Sequence, residues 1–292
     1  MNSNKIIKYL LGETYTIDSS IPEYDITTVS DLSTPCKNSL LFCRYGNYEE
    51  MINLEVVKES IICVPNTSIG HNAYTLGDNV IIGTDDPRFR FGKCIIEFNI
   101  RKIAQEVEFT PYHQICKSSK VISKSAKVYN TICGPGCSFH HNVLVGVDDF
   151  TPMRSPDNTE TILLPQLGYV ILGKNVEIFN NSIVSRGALF TTEIGDDTKI
   201  DSLVQVGHNC KIGKNCMITA GVIIAGGVHM GDNVFVGVGS HIRNGVTIGS
   251  NVTIAQGSNV VKDIPDNAVV MGNPARIVEY NKDTHQATDV PC

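Results

Sequence analysis

The sequence predicts a mainly β protein: a parallel β-helix whose triangular coils each comprise three six-residue segments, preceded by a small α/β domain. Three observations carry this expectation. From Ile194 the chain can be cut every six residues into twelve blocks that each begin with Ile, Val or Met: IGDDTK, IDSLVQ, VGHNCK, IGKNCM, ITAGVI, IAGGVH, MGDNVF, VGVGSH, IRNGVT, IGSNVT, IAQGSN and VVKDIP. The 25 glycines call for many tight turns, and the lack of Trp with 7% aromatic residues argues against a large aromatic-packed core. Residues 1 to about 105 show no such register; they alternate apolar runs with turn signals.

A period of six fits neither an α-helix nor a plain strand, but it fits a short extended segment followed by a sharp corner. Three such segments close one coil, so the first residue of a block stacks on that of the third block after it. Ile194, Ile212, Met230 and Ile248 then form one interior ladder. The fifth residue also points inward, where space is limited, which explains Thr, Val, Cys and Ser there. Cys210 and Cys216 occupy fifth positions and read as buried small hydrophobes rather than nucleophiles. Gly at the second position is read as permitting corner conformations that a Cβ would penalise.

Looser blocks precede these: ISKSAK at Ile122, VYNTIC at Val128, LGKNVE at Leu172, IFNNSI at Ile178 and VSRGAL at Val184, with a register slip of two residues at FTTE. The solenoid is therefore placed at 106–265, with a looped-out insertion at 148–169. Loops projecting from a repeat scaffold are common functional sites. The α/β domain is placed at 1–105, beginning with a strand and then a helix, with a further helix near RFRFGKCIIEF. Residues 266–292 form a C-terminal segment with a polar tail.

Bulk properties exclude several classes. A net charge of −6 gives no electrostatic footprint for nucleic acid, and no apolar run approaches the roughly 20 residues of a membrane-spanning helix. The N-terminus lacks the apolar stretch and cleavage site of a signal peptide. The ten cysteines are scattered without C-x-x-C or zinc-finger spacing, as expected of a cytoplasmic protein with reduced thiols. No metal is expected: the separation of His229 and His241 is two hexads, not the three that stacking needs, and the adjacent His140 and His141 point apart. A narrow solenoid leaves faces that association can cover, so a homo-oligomer is expected.

The hexads, the central VGHNCKIG and the ending VVKDIPDNAVVMGNPARIV resemble hexapeptide-repeat acyltransferases, which implies a left-handed helix and a homotrimer. Two families within that group compete. PQLGYVILGKNVEI, SRGAL and IGDDTKIDSLVQVGHN are similar to UDP-3-O-acylglucosamine N-acyltransferases of lipid A synthesis. LLFCRYGNYEEMI resembles that family's uridine-binding segment, with Phe42 and Tyr48 at the positions whose rings sandwich the uracil. Tyr45 stands where that family has Asn, its second His is absent at Arg243-Asn244-Gly245-Val246, and its aromatic-glycine run is reduced to Val147-Asp148-Asp149-Phe150. Its C-terminal helical extension, which meets acyl carrier protein, is missing too. From about residue 206 the chain instead resembles acetyl-CoA-dependent acetyltransferases of nucleotide-linked amino sugars. The reading placed first is thus an N-acetyltransferase using acetyl-CoA as co-substrate on a UDP- or dTDP-linked amino sugar. The alternative is the lipid A enzyme with hydroxyacyl carrier protein, and a further one is a non-catalytic β-helical scaffold.

Attack of an amine on a thioester needs a base, an oxyanion donor and a slot for the acyl carrier. His208, at the third position of its hexad, has its side chain outside the core and is the candidate base; the alternative is a solvated surface His. Gly226 lies one coil on, a strand spacing of about 4.8 Å away, where its N–H can face a tetrahedral oxyanion. Asn209 follows His208 as in the lipid A family, and Asp201 is that family's acid at this spacing; a solvated corner Asp is the competing reading. Asn244 and Gly245, one further coil on, are candidates for the pantetheine arm, and Lys262 and Arg276 for the coenzyme phosphates. Pro274 is expected to shape the turn over the adenine. Phe42, Tyr45 and Tyr48 are the acceptor-site candidates, with ordinary core packing as the competing reading.

Overall fold

The computed structural model describes residues 1–12, 16–26, 28–29, 37–42, 57–70, 72–98 and 121–280. The chain divides into two compact units: residues 1–108 with 150–165, and residues 109–149 with 166–292.

The first unit carries a five-stranded sheet of β1 (Thr28–Val29), β2 (Ser39–Phe42), β3 (Ile61–Pro65), β4 (Ala73–Leu76) and β5 (Asn79–Thr84). Its order is β1-β2-β3-β5-β4, parallel except where β4 returns antiparallel to β5. Helix α1 (Ser3–Leu11) opens the chain, with Asn2 capping the N–H of Asn4. A helix, not the expected strand, is therefore the first element: Ile6, Ile7 and Leu10 are spaced for a helical face and all are buried. A one-turn helix, α2 (Asn66–Ile69), follows β3. Helix α3 (Pro87–Glu97) occupies the stretch expected to be helical, with Asp86 as N-cap to Phe89 and Pro87 in the first turn.

The residues inserted into the repeat form an antiparallel hairpin of Pro152–Arg154 and Thr161–Leu163 within this first unit. Gly92 of α3 explains its seat. A Cβ there would come within 2.2 Å of the Met153 side chain, and Lys93 adds an ion pair to Glu160 at 2.7 Å.

The second unit is a solenoid of very short strands arranged in three parallel sheets, one per face of the prism. Its register is that of the hexads: Ile194 pairs with Ile212, Ile212 with Met230, and Met230 with Ile248. These first-position residues are buried, and each contributes on the order of 1.5–3 kcal/mol of apolar burial. Fifth positions are buried as well, and most of their polar atoms find partners in the neighbouring coil, Ser258 Oγ being an exception. Thr198 Oγ1 donates to the Gly213 carbonyl at 2.9 Å, and Cys210 Sγ donates to that of Ala225 at 3.2 Å.

The corner chemistry differs from the expectation. Left-handed backbone falls at the fourth position, held mostly by Asn, as at Asn209 (φ 60°), Asn215 (φ 53°), Asn233 (φ 57°) and Asn251 (φ 57°), or by glycine, and also by Asp197 (φ 61°) and Leu203 (φ 61°). Asn visits this region more readily than other side chains. The second-position glycines are needed for another reason, close stacking: a Cβ on Gly213 would lie 2.4 Å from Asp232 Oδ1 and from the Gly231 carbonyl.

Coil length also varies outside the strict run. Leu172 pairs with Ile194, which makes that coil longer than the strict repeat by four positions, the four residues FTTE that shift the six-residue frame by two. Cys133 pairs with Leu172 across a much longer span, the one that contains the hairpin. Ile248 bridges to Ile264, two positions short of a full coil. The last parallel strand, Ala268–Met271, is covered by the antiparallel Arg276–Tyr280.

Burial pushes the thiols of Cys63 and Cys210 up to about 12 and that of Cys216 to about 11. Native protein at pH 8 should therefore leave these three cysteines unmodified by Ellman's reagent, with reaction only after denaturant is added. The unfolded chain ionises them from about pH 8.5. With folded values raised, their contribution to stability is complete below that pH and lost as pH rises towards about 11 for Cys216 and about 12 for Cys63 and Cys210. Urea midpoints measured between pH 8 and 10.5 should fall, and the fall should shrink when Cys210 and Cys216 are replaced by Val.

Candidate active site

The corner after Gln205–Val206 carries His208 at its third position. Its ring lies directly against Gly226, one coil on. A Cβ at Gly226 would come within 2.5 Å of His208 Nε2 and 2.8 Å of Cε1. The space for the imidazole is thus the space a side chain would take. The Gly226 N–H has no hydrogen-bond partner among the described residues, while its carbonyl accepts from Gly245 N–H at 3.1 Å and from the Asn244 amide.

Asn209 fixes the tautomer of the ring. Its Oδ1 accepts from the Ala188 N–H at 2.7 Å, which identifies that atom as the oxygen, since a backbone N–H can only donate. The same oxygen stands 3.1 Å from His208 Nδ1, so Nδ1 must carry the proton. In the neutral ring Nε2, the nitrogen over Gly226, then carries the lone pair. Asn209 is itself anchored by its N–H to Thr192 Oγ1 at 2.9 Å and by its left-handed backbone.

Substituting Asn209 with Gly keeps the left-handed backbone but removes the oxygen. Asn209→Gly should lower kcat by at least ~10-fold with little change in melting temperature, because a freed ring spends time in the wrong tautomer. Thioester turnover beside a thermal melt would check it.

Other expected residues fall as follows. Asp201 does not meet His208: its Oδ1 accepts from the adjacent Ser202 N–H at 2.6 Å, and no hydrogen bond joins the two side chains. At this spacing the Asp stands at the second position of the preceding hexad, and its side chain turns back on its own corner. Asn244 and Gly245 are exposed one coil beyond Gly226, and Lys262 is exposed a further coil on. Pro274 and Arg276 are exposed in and after the closing turn, where the Arg276 guanidinium reaches the Ala275 carbonyl at 3.0 Å. Phe42 packs its ring on Phe91 at 5.0 Å, and Tyr45 and Tyr48 lie outside the described residues.

Among the described residues no group of three or more His, Cys, Asp or Glu is placed to hold a metal, and no helix is long and apolar enough to cross a membrane. His229 and His241 are exposed, His140 stacks on Phe179 at 4.0 Å, and His141 Nδ1 lies 2.9 Å from Ser123 Oγ.

Sequence reasoning missed two contributors. Asp149 Oδ2 accepts the His208 backbone N–H at 2.8 Å. Asp148, beside it, is held at 2.7 Å by Arg186, whose side chain is only 3% exposed. Asp148 and Asp149 had signalled themselves only as part of a reduced aromatic-glycine run at the start of the insertion, where coil arithmetic gives no partner.

Comparison with known proteins bears on the same coils. A family model described as bacterial transferase hexapeptide (six repeats) matches residues 191–226 and 227–262. Curated relatives include the UDP-3-O-acylglucosamine N-acyltransferase of Dechloromonas aromatica, 44% identical over 72 residues, or 25% of this chain and 20% of that protein. UDP-3-O-acylglucosamine N-acyltransferase 1 of Francisella tularensis is 39% identical over 79 residues, 27% of this chain and 23% of the relative. The match thus spans about a fifth of these relatives' length. Among solved structures, a UDP-N-acetylglucosamine acyltransferase from Bacteroides fragilis is 21% identical with a TM-score of 0.48, covering 56% of this chain and 62% of that one. Residues 191–262 thus match bacterial transferase hexapeptide repeats and wind as a parallel β-helix that carries His208 and Gly226 on one corner.

Proposed function

We propose that this chain is an N-acyltransferase that moves an acyl group from a carrier thioester to the amine of a UDP-linked amino sugar, with His208 as general base. One observation carries the reading: an imidazole whose Nδ1 proton is fixed by Asn209 and whose Nε2 sits over a glycine with an unpartnered N–H. As the amine attacks the thioester carbonyl, Nε2 takes the amine proton. The Gly226 N–H is the donor to the tetrahedral oxyanion. Collapse expels the carrier thiolate, which His208 reprotonates. No metal or covalent enzyme intermediate enters this sequence of steps.

The named relatives favour the reading placed second from sequence, a UDP-3-O-acylglucosamine acceptor with hydroxyacyl carrier protein as donor. Acetyl-CoA remains a second reading, because the chain leaves the solenoid through a short hairpin that holds Pro274 and Arg276. In this reading the exposed Asn244, Lys262 and Arg276 are the candidates to meet the coenzyme. A homotrimer is part of both.

The test is thiol release by the purified chain, with each donor offered against UDP-3-O-acylglucosamine and a panel of UDP- and dTDP-amino sugars. Turnover confined to hydroxyacyl carrier protein upholds the first reading, and turnover confined to acetyl-CoA the second. No turnover with any pair would leave the scaffold reading.

A further inference from the structure

We infer that Asp149 is a positioning residue for His208, supplying the hydrogen bond that its corner would otherwise lack; the inference rests on His208 being the base. The argument starts from another corner of the same prism. There a third-position N–H is satisfied by the third-position side chain one coil on wherever that side chain can accept. Lys174 N–H donates to Asp196 Oδ1, Lys214 to Asp232 Oδ1, Asp232 to Ser250 Oγ and Ser250 to Asp266 Oδ1, at 2.7–3.1 Å. The side chain of one coil thus holds the backbone of the coil before it.

At the His208 corner this device fails by necessity. The third-position residue one coil on is Gly226, which must lack a side chain because the imidazole fills that space. The ring gains its seat, and the N–H of the residue bearing it loses its acceptor. Asp149 answers from the opposite direction, from far earlier in the chain, with Oδ2 at 2.8 Å from His208 N. Its own placement is secured by its neighbour: the nearly buried Arg186 guanidinium grips Asp148 Oδ1 through Nε at 2.9 Å and a terminal nitrogen at 2.7 Å. Arg186 also donates its N–H to the Val147 carbonyl at 3.0 Å. Two fixed points, Asn209 at Nδ1 and Asp149 at the backbone, then define where Nε2 stands.

Asp149→Ala should lower kcat by about 10-fold or more while KM for donor and acceptor stays within about twofold, because a reacting nitrogen moved by a fraction of an ångström loses rate rather than binding. Asp149→Asn retains an acceptor oxygen and should restore most of the rate. In full-length protein with 15N-labelled histidines, the ring-nitrogen signals of His208, assigned by their loss in His208→Gln, should move in the Ala variant and stay in the Asn variant. An Ala variant with unchanged kcat and unchanged ring signals overturns the inference. So does a change in KM alone, or an Asn variant as impaired as Ala. His208→Gln separates the layers: if it turns over normally, the base reading itself fails, whereas a dead His208→Gln beside a normal Asp149→Ala sinks only the role of Asp149.

Discussion

His208→Ala should lower kcat by on the order of 10²–10⁴ while leaving the melting temperature near that of the unaltered protein. The stability half follows from position. The side chain is half-buried at a corner, outside the ladder of first- and fifth-position residues that fills the prism. Removing it takes no apolar rung away and leaves the corner backbone bonds from Gly227 to His208 and from His208 to Asp149 intact. The rate half follows from the tautomer, since Nε2 is the atom nearest to the space over Gly226. Thiol-release kinetics with the donor and acceptor pair identified by the panel would measure it. A variant within a few-fold of the wild type would mean that the reacting amine is deprotonated elsewhere.

Gly226→Ala should cost comparable rate with His208 still in place, roughly 10²-fold, because the new methyl would occupy a point 2.5 Å from Nε2 and force the ring aside. The backbone at Gly226 needs no glycine: the left-handed conformation belongs to its neighbour, Gly227, at φ 69°. That neighbour provides the control. Gly227→Ala places a Cβ whose nearest neighbour is Asn244 Nδ2 at 3.9 Å, so the ring is untouched, but left-handed alanine costs about 1–2 kcal/mol. The two adjacent substitutions should therefore give opposite signatures. Gly226→Ala should be stable and slow, Gly227→Ala less stable and nearly as fast. Melting curves and kcat for both variants would decide, and equal effects would remove the steric account of the ring's seat.

The pair His208 and Gly226 was legible from sequence because coils of strictly equal length convert numbering into distance. Within that run every first position pairs where arithmetic puts it. Asp149 was not legible: the coil swollen by the insertion and the lengthened coil after it both lie on the way to His208, and nothing in an insertion's length is periodic. The orienting role of Asn209 needed the Ala188 N–H, which the extra residues of the lengthened coil bring round. Asp201 misled because a family spacing carries a residue type but not the direction its side chain takes from the corner. The corner glycines misled in another way. Their recurrence was visible, but whether a glycine answers to torsion or to contact shows only when the next coil is laid on it.

The antiparallel strand Arg276–Tyr280 has a consequence for solubility. A stack of parallel coils is open to end-on growth, since its last coil offers the same unpaired backbone edge that every earlier coil used to dock its successor. On one face Arg276–Tyr280 occupies that edge with reversed direction, so no further parallel coil can seat there. The other two faces are covered as well: Ile264 bridges to Ile248 on one, and Asn259 exchanges backbone hydrogen bonds with Gly272 and Ala275 on the other. The reversed strand is thus a chain terminator in the polymer sense, separating a folded protein from the protofilament that its own repeat would otherwise nucleate.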